Sequence, residues 1–293
     1  VHTAVALGAA SVLAAVREKL PGSVLFLFQP AEEGAPPGEE GGALLMLKEG
    51  AFDDPAPEAV FGLHAFPDLE VGQIGFLEGP AYAAADHFVA TIRGRQSHGA
   101  QPHLSVDPVV MAAQAVQALQ TIRSRNLPPL EPSVISVGII RGGERFNIIP
   151  SEVRLEGTVR TYRPEAQAAV ERRMGEILAG VTAAGGGSYE LDYRHQVPAT
   201  VNDRELAARM RPTLQQTVGE SGVVEVEPTL AGEDFAYFAE RVPGFNFRLG
   251  VRAPGGESGG LHTPEFRADD GSIGVGARVM ARLVWDYLHD GAR

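Results

Sequence analysis

Apolar positions in the first part of the chain come in two forms. Residues 2–20 hold a long small-residue apolar stretch, Ala4 to Val16, closed by Arg17-Glu18-Lys19. This predicts a buried helix. Val24-Leu25-Phe26-Leu27-Phe28 and Ala59-Val60-Phe61-Gly62-Leu63 are unbroken apolar runs. Their length and bulk predict strands covered on both faces. Between them a Gly/Pro/Glu-rich loop spans 34–42, and Ala35-Pro36-Pro37-Gly38 within it is not helical. Residues 42–48 predict a short helix closed by Gly50. Helices alternating with buried strands predict a mostly parallel sheet.

From about Tyr82 the period changes. Residues 86–94 alternate like a strand with one wet face. A helix follows over 108–125, with Val109, Val110, Ala113, Val116, Leu119 and Ile122 near helical spacing, until Asn126-Leu127-Pro128-Pro129 stops it. Strands are expected at 134–140 and 153–161, a helix at 165–184 and a strand at 189–193. The order β-α-β-β-α-β has the shape of a ferredoxin-like unit. The remainder reads as a helix over 203–218 broken or kinked at Pro212, a strand at 223–227, a short helix at 234–241, a strand at 245–250 and a closing helix at 269–288. The expected fold class is therefore α/β, a mostly parallel sheet flanked by helices, with an inserted ferredoxin-like α+β unit. The parts are 1–81, 82–198 and 199–293, the first and last forming one α/β domain.

Charge and composition narrow the possible partners. The chain has 293 residues and a formal net charge of −12, which argues against nucleic acid or an anionic membrane as partner. No stretch has the length and polarity of a transmembrane helix. With Cys at 0, no disulfide framework exists, which fits a reducing, cytoplasmic setting. The start is unusual: Val1-His2-Thr3 leads straight into a helix, and the chain reads as cut from a longer one.

Candidate chemistry collects where strands are expected to end. Glu32 and Glu33 follow the 24–28 run, where open α/β sheets bind ligands. Neighbours in an extended segment point in different directions, so one carboxylate can bind a metal while the other serves as a general base. His64 follows the second strand, and His262 lies in the loop after 245–250. Glu and His supply donors suited to zinc, manganese or cobalt. Taken singly, each has a plain alternative: a solvated acidic loop or a structural histidine. Glu233 and Asp234 read first as helix-capping acids. In the inserted unit, Gly94 to His103 displays His98 and His103, which could stabilise an oxyanion or simply decorate a surface loop. Arg160 could hold a carboxylate bidentately, or sit in a surface ion pair. Walker-type phosphate loops, dinucleotide glycine fingerprints and Gly-x-Ser-x-Gly elbows are absent from the sequence.

Several segments together resemble one family: dinuclear-metal amidohydrolases that include N-acyl-amino-acid amidohydrolases (aminoacylases), hippurate hydrolase and plant hydrolases of indole-acetyl amino acid conjugates. The resemblance rests on His2-Thr3-Ala4, Pro30-Ala31-Glu32-Glu33-Gly34, Gly62-Leu63-His64, Ser97-His98-Gly99-Ala100-Gln101-Pro102-His103, Phe146-Asn147-Ile148-Ile149-Pro150, Gly157-Thr158-Val159-Arg160-Thr161, Gly232-Glu233-Asp234-Phe235 and Leu261-His262-Thr263-Pro264. It implies that Glu32 is the general base and that Glu33, His64 and His262 are metal ligands. His98 matches a lid-domain histidine that reaches the partner's active site in a homodimer, and Asn147 and Arg160 match substrate-binding positions. The unit 82–198 matches the lid and dimerisation domain.

The implied reaction is metal-dependent hydrolysis of the amide bond of N-acyl amino acids, with two divalent ions in a complete relative. The family draws two further ligands from a Cys-Gly-His-Asp segment that would precede Val1, within about a hundred additional residues, a large part of an ordinary domain. The expected ligand set here is thus three of five, and the ions held are expected to range from partial occupancy to none. A dipeptidase or carboxypeptidase of the same fold, and a non-catalytic truncated remnant, stand as the alternatives.

Overall fold

The computed structural model describes residues 1–34, 36 and 39–290. Of the Ala35-Pro36-Pro37-Gly38 stretch expected to be non-helical, only Pro36 lies within the described residues. Two compact units emerge. One comprises Val1–Ala81, Thr200–Pro228 and Asp234–Arg293, the other Tyr82–Ala199 and Thr229–Glu233.

In the first unit a four-stranded sheet runs in the order Val60–Glu70, Gly244–Arg252, Ile74–Phe76, Val223–Glu225. Its outer pairs are parallel and its middle pair antiparallel, so the sheet is mostly parallel. Phe245, Phe247, Leu249 and Val251 on Gly244–Arg252 are fully buried with Ile74, Phe76, Val279 and Leu283. These alternate residues fill one face of the strand, while Asn246, Arg248 and Gly250 on the other face are buried or half-buried, so the strand is covered on both sides without a continuous apolar run. Helices His2–Ala15 and Gly271–Asp290 pack on each other. Gly276 lets this happen, because a methyl group there would overlap Val5 and Leu249. Helix Arg204–Val218 is capped by Asp203, whose carboxylate accepts the Leu206 N–H at 2.7 Å. It continues through Pro212 rather than breaking there. Leu206, Ala207, Met210 and Leu214 bury one face on both sides of the proline, and that packing outweighs the missing backbone hydrogen bond.

The 24–28 run departs from expectation. It carries no ladder with any described strand. Val24 and Phe26 pack against Ala9, Leu13 and Ala281, while Leu25 and Phe28 remain 45% and 48% exposed. Apolar bulk predicts burial, but a strand also needs a neighbour to accept and donate along its backbone. Glu32 and Glu33 therefore follow an unladdered segment, not a strand end. His64 likewise does not follow its strand. Val60–Glu70 continues past it because the parallel pairing with Gly244–Arg252 extends through Phe66↔Gly250.

The second unit holds a four-stranded antiparallel sheet in the order Ser133–Arg141, Glu152–Thr161, Ala84–Arg93, Ser188–Val197. Helices Pro108–Thr121 and Pro164–Gly185 share its core with Phe88, Ile92 and Leu155. Asp107 caps the first, accepting Val109 N–H at 2.9 Å and Val110 N–H at 3.3 Å, with Pro108 in the first turn. That helix was expected to reach Arg125; its last turn, Ile122–Asn126, widens to π-type spacing. This chain order and strand order are those of a ferredoxin-like unit.

Candidate metal centre

Within the first unit, Glu33, His64 and His262 line one cleft of about 250 Å³, together with Val1, His2, Ala65, Leu261 and Phe266. The three candidate ligands come from three separate stretches of chain. His64 is fixed by its strand, opposite Arg248 in the parallel register. His64 Nδ1 is 3.0 Å from the Ala65 carbonyl. A carbonyl only accepts, so Nδ1 carries the proton and Nε2 the lone pair. This is the tautomer a metal-binding imidazole needs, set by the kind of outer contact that orients such ligands. Burial holds the His64 ring below the usual imidazole pKa of 6.5, against the opposing pull of the Ala65 carbonyl and Glu33. The neutral ring is thereby favoured.

Glu33 and His262 approach each other at the mouth of the cleft. His262 Nε2 lies 3.7 Å from a Glu33 carboxylate oxygen, and both side chains are about two-thirds exposed. That separation is too long for a hydrogen bond. It is within what two ligands of one ion, each about 2 Å from it, can span. His262 itself has φ +63° and Ala31, just before the glutamate pair, has φ +56°. Among the described residues these are the non-glycine positions with positive φ. Such strain is typical of sites whose surroundings over-determine the backbone. One carboxylate and two imidazoles form a donor set suited to zinc, manganese or cobalt, so the residues present fit a divalent ion.

Glu32 is the neighbour of Glu33 in the same turn. It does not line the cleft, and its carboxylate has an oxygen within 4.8 Å of one on Asp234. The two glutamates sit in the turn of residues 31–34, closed by the Gly34 N–H donating to the Ala31 carbonyl at 3.2 Å, and not in the extended segment expected, so strand alternation does not set their directions. Asp234 was expected to cap the helix that follows it. That helix is only Ala236–Ala239. Asp234 instead accepts the Ala43 N–H at 2.8 Å, at the start of helix Gly42–Lys48, and the Gln29 carboxamide at 2.6 and 2.8 Å. Burial raises its carboxyl pKa, with these donors opposing. Nothing in the local sequence pairs Gln29 with Asp234; only the fold does.

His2 also lines the cleft. Its Nε2 accepts the Ala65 N–H at 2.9 Å, so that nitrogen is engaged with backbone.

The second unit gathers the other candidates. His98 lies in the short strand Ser97–His98, paired with Ile148–Ile149, so Asn147 sits beside it in the opposing segment. The Gly99 N–H donates to the Asn147 carbonyl at 2.8 Å. His98 Nδ1 accepts the Ala100 N–H at 3.1 Å, which leaves the ring proton on Nε2. His98 and Asn147 are exposed. Arg160 lies on Glu152–Thr161, opposite Ala85, and its guanidinium is adjacent to Gly232. His103 is in the short 3₁₀ turn Pro102–Leu104 and is exposed.

Comparison with known proteins supplies the wider context. The profile of peptidase family M20/M25/M40 matches residues 1–286. An N-acetylcysteine deacetylase of Bacillus subtilis is 36% identical over 96% of this chain and 71% of its own length. An N-acetyldiaminopimelate deacetylase of Priestia megaterium is 35% identical over 96% of this chain and 72% of its own. Among solved structures, a dinuclear-metal-binding peptidase from Bacillus subtilis superposes with a TM-score of 0.83 at 32% identity, covering 98% of this chain and 71% of that one.

Proposed function

The chain belongs to peptidase family M20/M25/M40, and on that premise we propose that it hydrolyses the amide bond of N-acyl amino acids, releasing a carboxylic acid and a free amino acid. The observation that carries this reading is the convergence of Glu33, His64 and His262 on one cleft. These residues hold divalent metal, with zinc, manganese and cobalt as the candidates and two ions as the full complement. Bound there, the metal lowers the pKa of water and polarises the acyl carbonyl.

The chain's own residues do the rest. Glu32 takes a proton from the attacking water as the new C–O bond forms. It returns that proton to the nitrogen as the C–N bond breaks, so the amino acid leaves as a neutral amine. His98 Nε2–H donates to the developing oxyanion, in a homodimer that supplies it from the second copy. The Arg160 guanidinium binds the substrate carboxylate, with Asn147 as a second polar contact. Supporting the homodimer, Ser133–Arg141 is an edge strand with Ile140 59% exposed. No helix among the described residues is long and apolar enough to cross a membrane. A cysteine-free chain suits the reducing cytoplasm, the compartment this reading assigns.

The test is amino acid release from a panel of N-acetyl amino acids, N-benzoyl amino acids and dipeptides. The protein is stripped with a chelator and reloaded with zinc, manganese or cobalt. Release from the N-acyl substrates only after reloading is the expected result. Cleavage of dipeptides alone would move the assignment to a peptidase. Release without metal would overturn it.

A further inference from the structure

The segment that bears Glu32 and Glu33 is held at both flanks by one carboxylate. On one side Gln29 Nε2 donates to Asp234 at 2.6 Å (Oδ1) and 2.8 Å (Oδ2). On the other side the Ala43 N–H donates to Asp234 Oδ2 at 2.8 Å. Between them, the Gly42 N–H donates to the Pro30 carbonyl at 2.9 Å and ties the flanks directly. Asp234 is only 7% exposed, so these bonds are shielded from competing water. Gly42 has φ +69°, and a methyl group there would overlap the Asp234 carboxylate oxygen. Glycine is therefore required twice at this position, for the backbone and for the approach of the carboxylate. Glu32 and Glu33 lie between the anchors, just after the left-handed Ala31.

We propose that Asp234 is a positioning residue: through Gln29 and the Ala43 N–H it fixes the two ends of the Glu32–Glu33 segment, and so holds Glu33 toward His262 and the metal. This rests on the reading of the cleft as a metal centre. Asp234 touches neither substrate nor ion in this role. Both of its oxygens accept N–H donors, which makes it an anchor for the two flanks.

Zinc affinity, read by competition with a chromogenic chelator, tests the proposal on the whole chain. The variants are Asp234→Asn, Gln29→Leu, their double, and Glu33→Gln. Loss of a group that orients a ligand costs about 10- to 100-fold in metal affinity. Each single variant is expected to weaken zinc by that factor. The double is expected to be no worse than the worse single, because both act through one bond pair. Gln29→Leu leaves the Ala43 bond in place and guards against a failure of Asp234→Asn to fold. Unchanged zinc affinity in Gln29→Leu and Asp234→Asn, with affinity lost in Glu33→Gln, overturns the positioning role and leaves the metal centre standing. If the wild type or Glu33→Gln shows that no zinc is held through Glu33, the metal reading itself fails and the positioning role falls with it. Hydrogen exchange at the Ala43 and Gly42 amides then still reads the anchor. Faster exchange in Asp234→Asn shows the tie without its function, and unchanged exchange removes the tie as well.

Discussion

The rings of His2 and His64 meet edge to face, with centroids 5.2 Å apart and planes at 70°. Each is bonded to the same residue. His2 accepts from the Ala65 N–H, and His64 donates to the Ala65 carbonyl. A proton on either ring would therefore break a tautomer or repel its neighbour. Burial, then His64 and the chain's amino terminus, lower His2 from the usual 6.5 to about 4. His64 is lowered for the same main reason.

The sign of the resulting pH effect follows. Unfolded, these rings take up protons near pH 6.5; folded, His2 resists until about 4. The unfolded state binds more protons in that window, so stability rises with pH through it. The metal-free protein is expected to be fully stabilised by this pair above pH 6.5 and to lose that contribution progressively toward pH 4. Urea melts at several pH values check this. His2→Gln, which keeps an acceptor for Ala65, should flatten the slope. An equally steep slope in that variant would remove His2 as its source.

His98 is read as a donor through Nε2, because Nδ1 is held by the Ala100 N–H. Its replacement by Ala is expected to lower kcat by about 10²- to 10³-fold, the scale for losing one oxyanion donor, with little change in KM. Steady-state kinetics on an N-acetyl amino acid measure both. A raised KM with kcat intact would instead make His98 a binding residue.

Leu178 is fully buried in helix Pro164–Gly185, in the core formed with Phe88, Leu155 and Met174. Leu178→Ala is expected to destabilise the protein by about 2–5 kcal/mol through lost burial and a residual cavity. Denaturant unfolding gives the value. A cost under about 1 kcal/mol, the scale of a tolerated volume-conserving swap, would mean this core is loosely packed.

What the sequence disclosed was local. Helix Gly42–Lys48 was readable to the residue from its short apolar run and the closing Gly50, although the Asp234 carboxylate that receives the Ala43 N–H at its start left no local trace. The β-α-β-β-α-β order of the second unit was readable because alternation and helical spacing are written along each segment. The 24–28 run was misread because strandness depends on a neighbour, and none of the described strands pairs with it. His64 was placed beyond its strand because the apolar run ends at Leu63. The strand goes on through Asp68 and Glu70 because Gly244–Arg252 pairs with it. The cleft was legible only as residue types; that Glu33 meets His262, and that a Glu32 oxygen lies within 4.8 Å of one on Asp234, are properties of the fold. Gln29 had no signal at all, since its partner lies far along the chain.

Glu32→Gln tests the central claim most directly. The variant keeps the shape of the side chain and removes the base. The measurement is the turnover of an N-acetyl amino acid by the metal-loaded protein, alongside its metal content. The account predicts that turnover is abolished while metal uptake matches the wild type. Turnover at the wild-type rate with metal bound would contradict it.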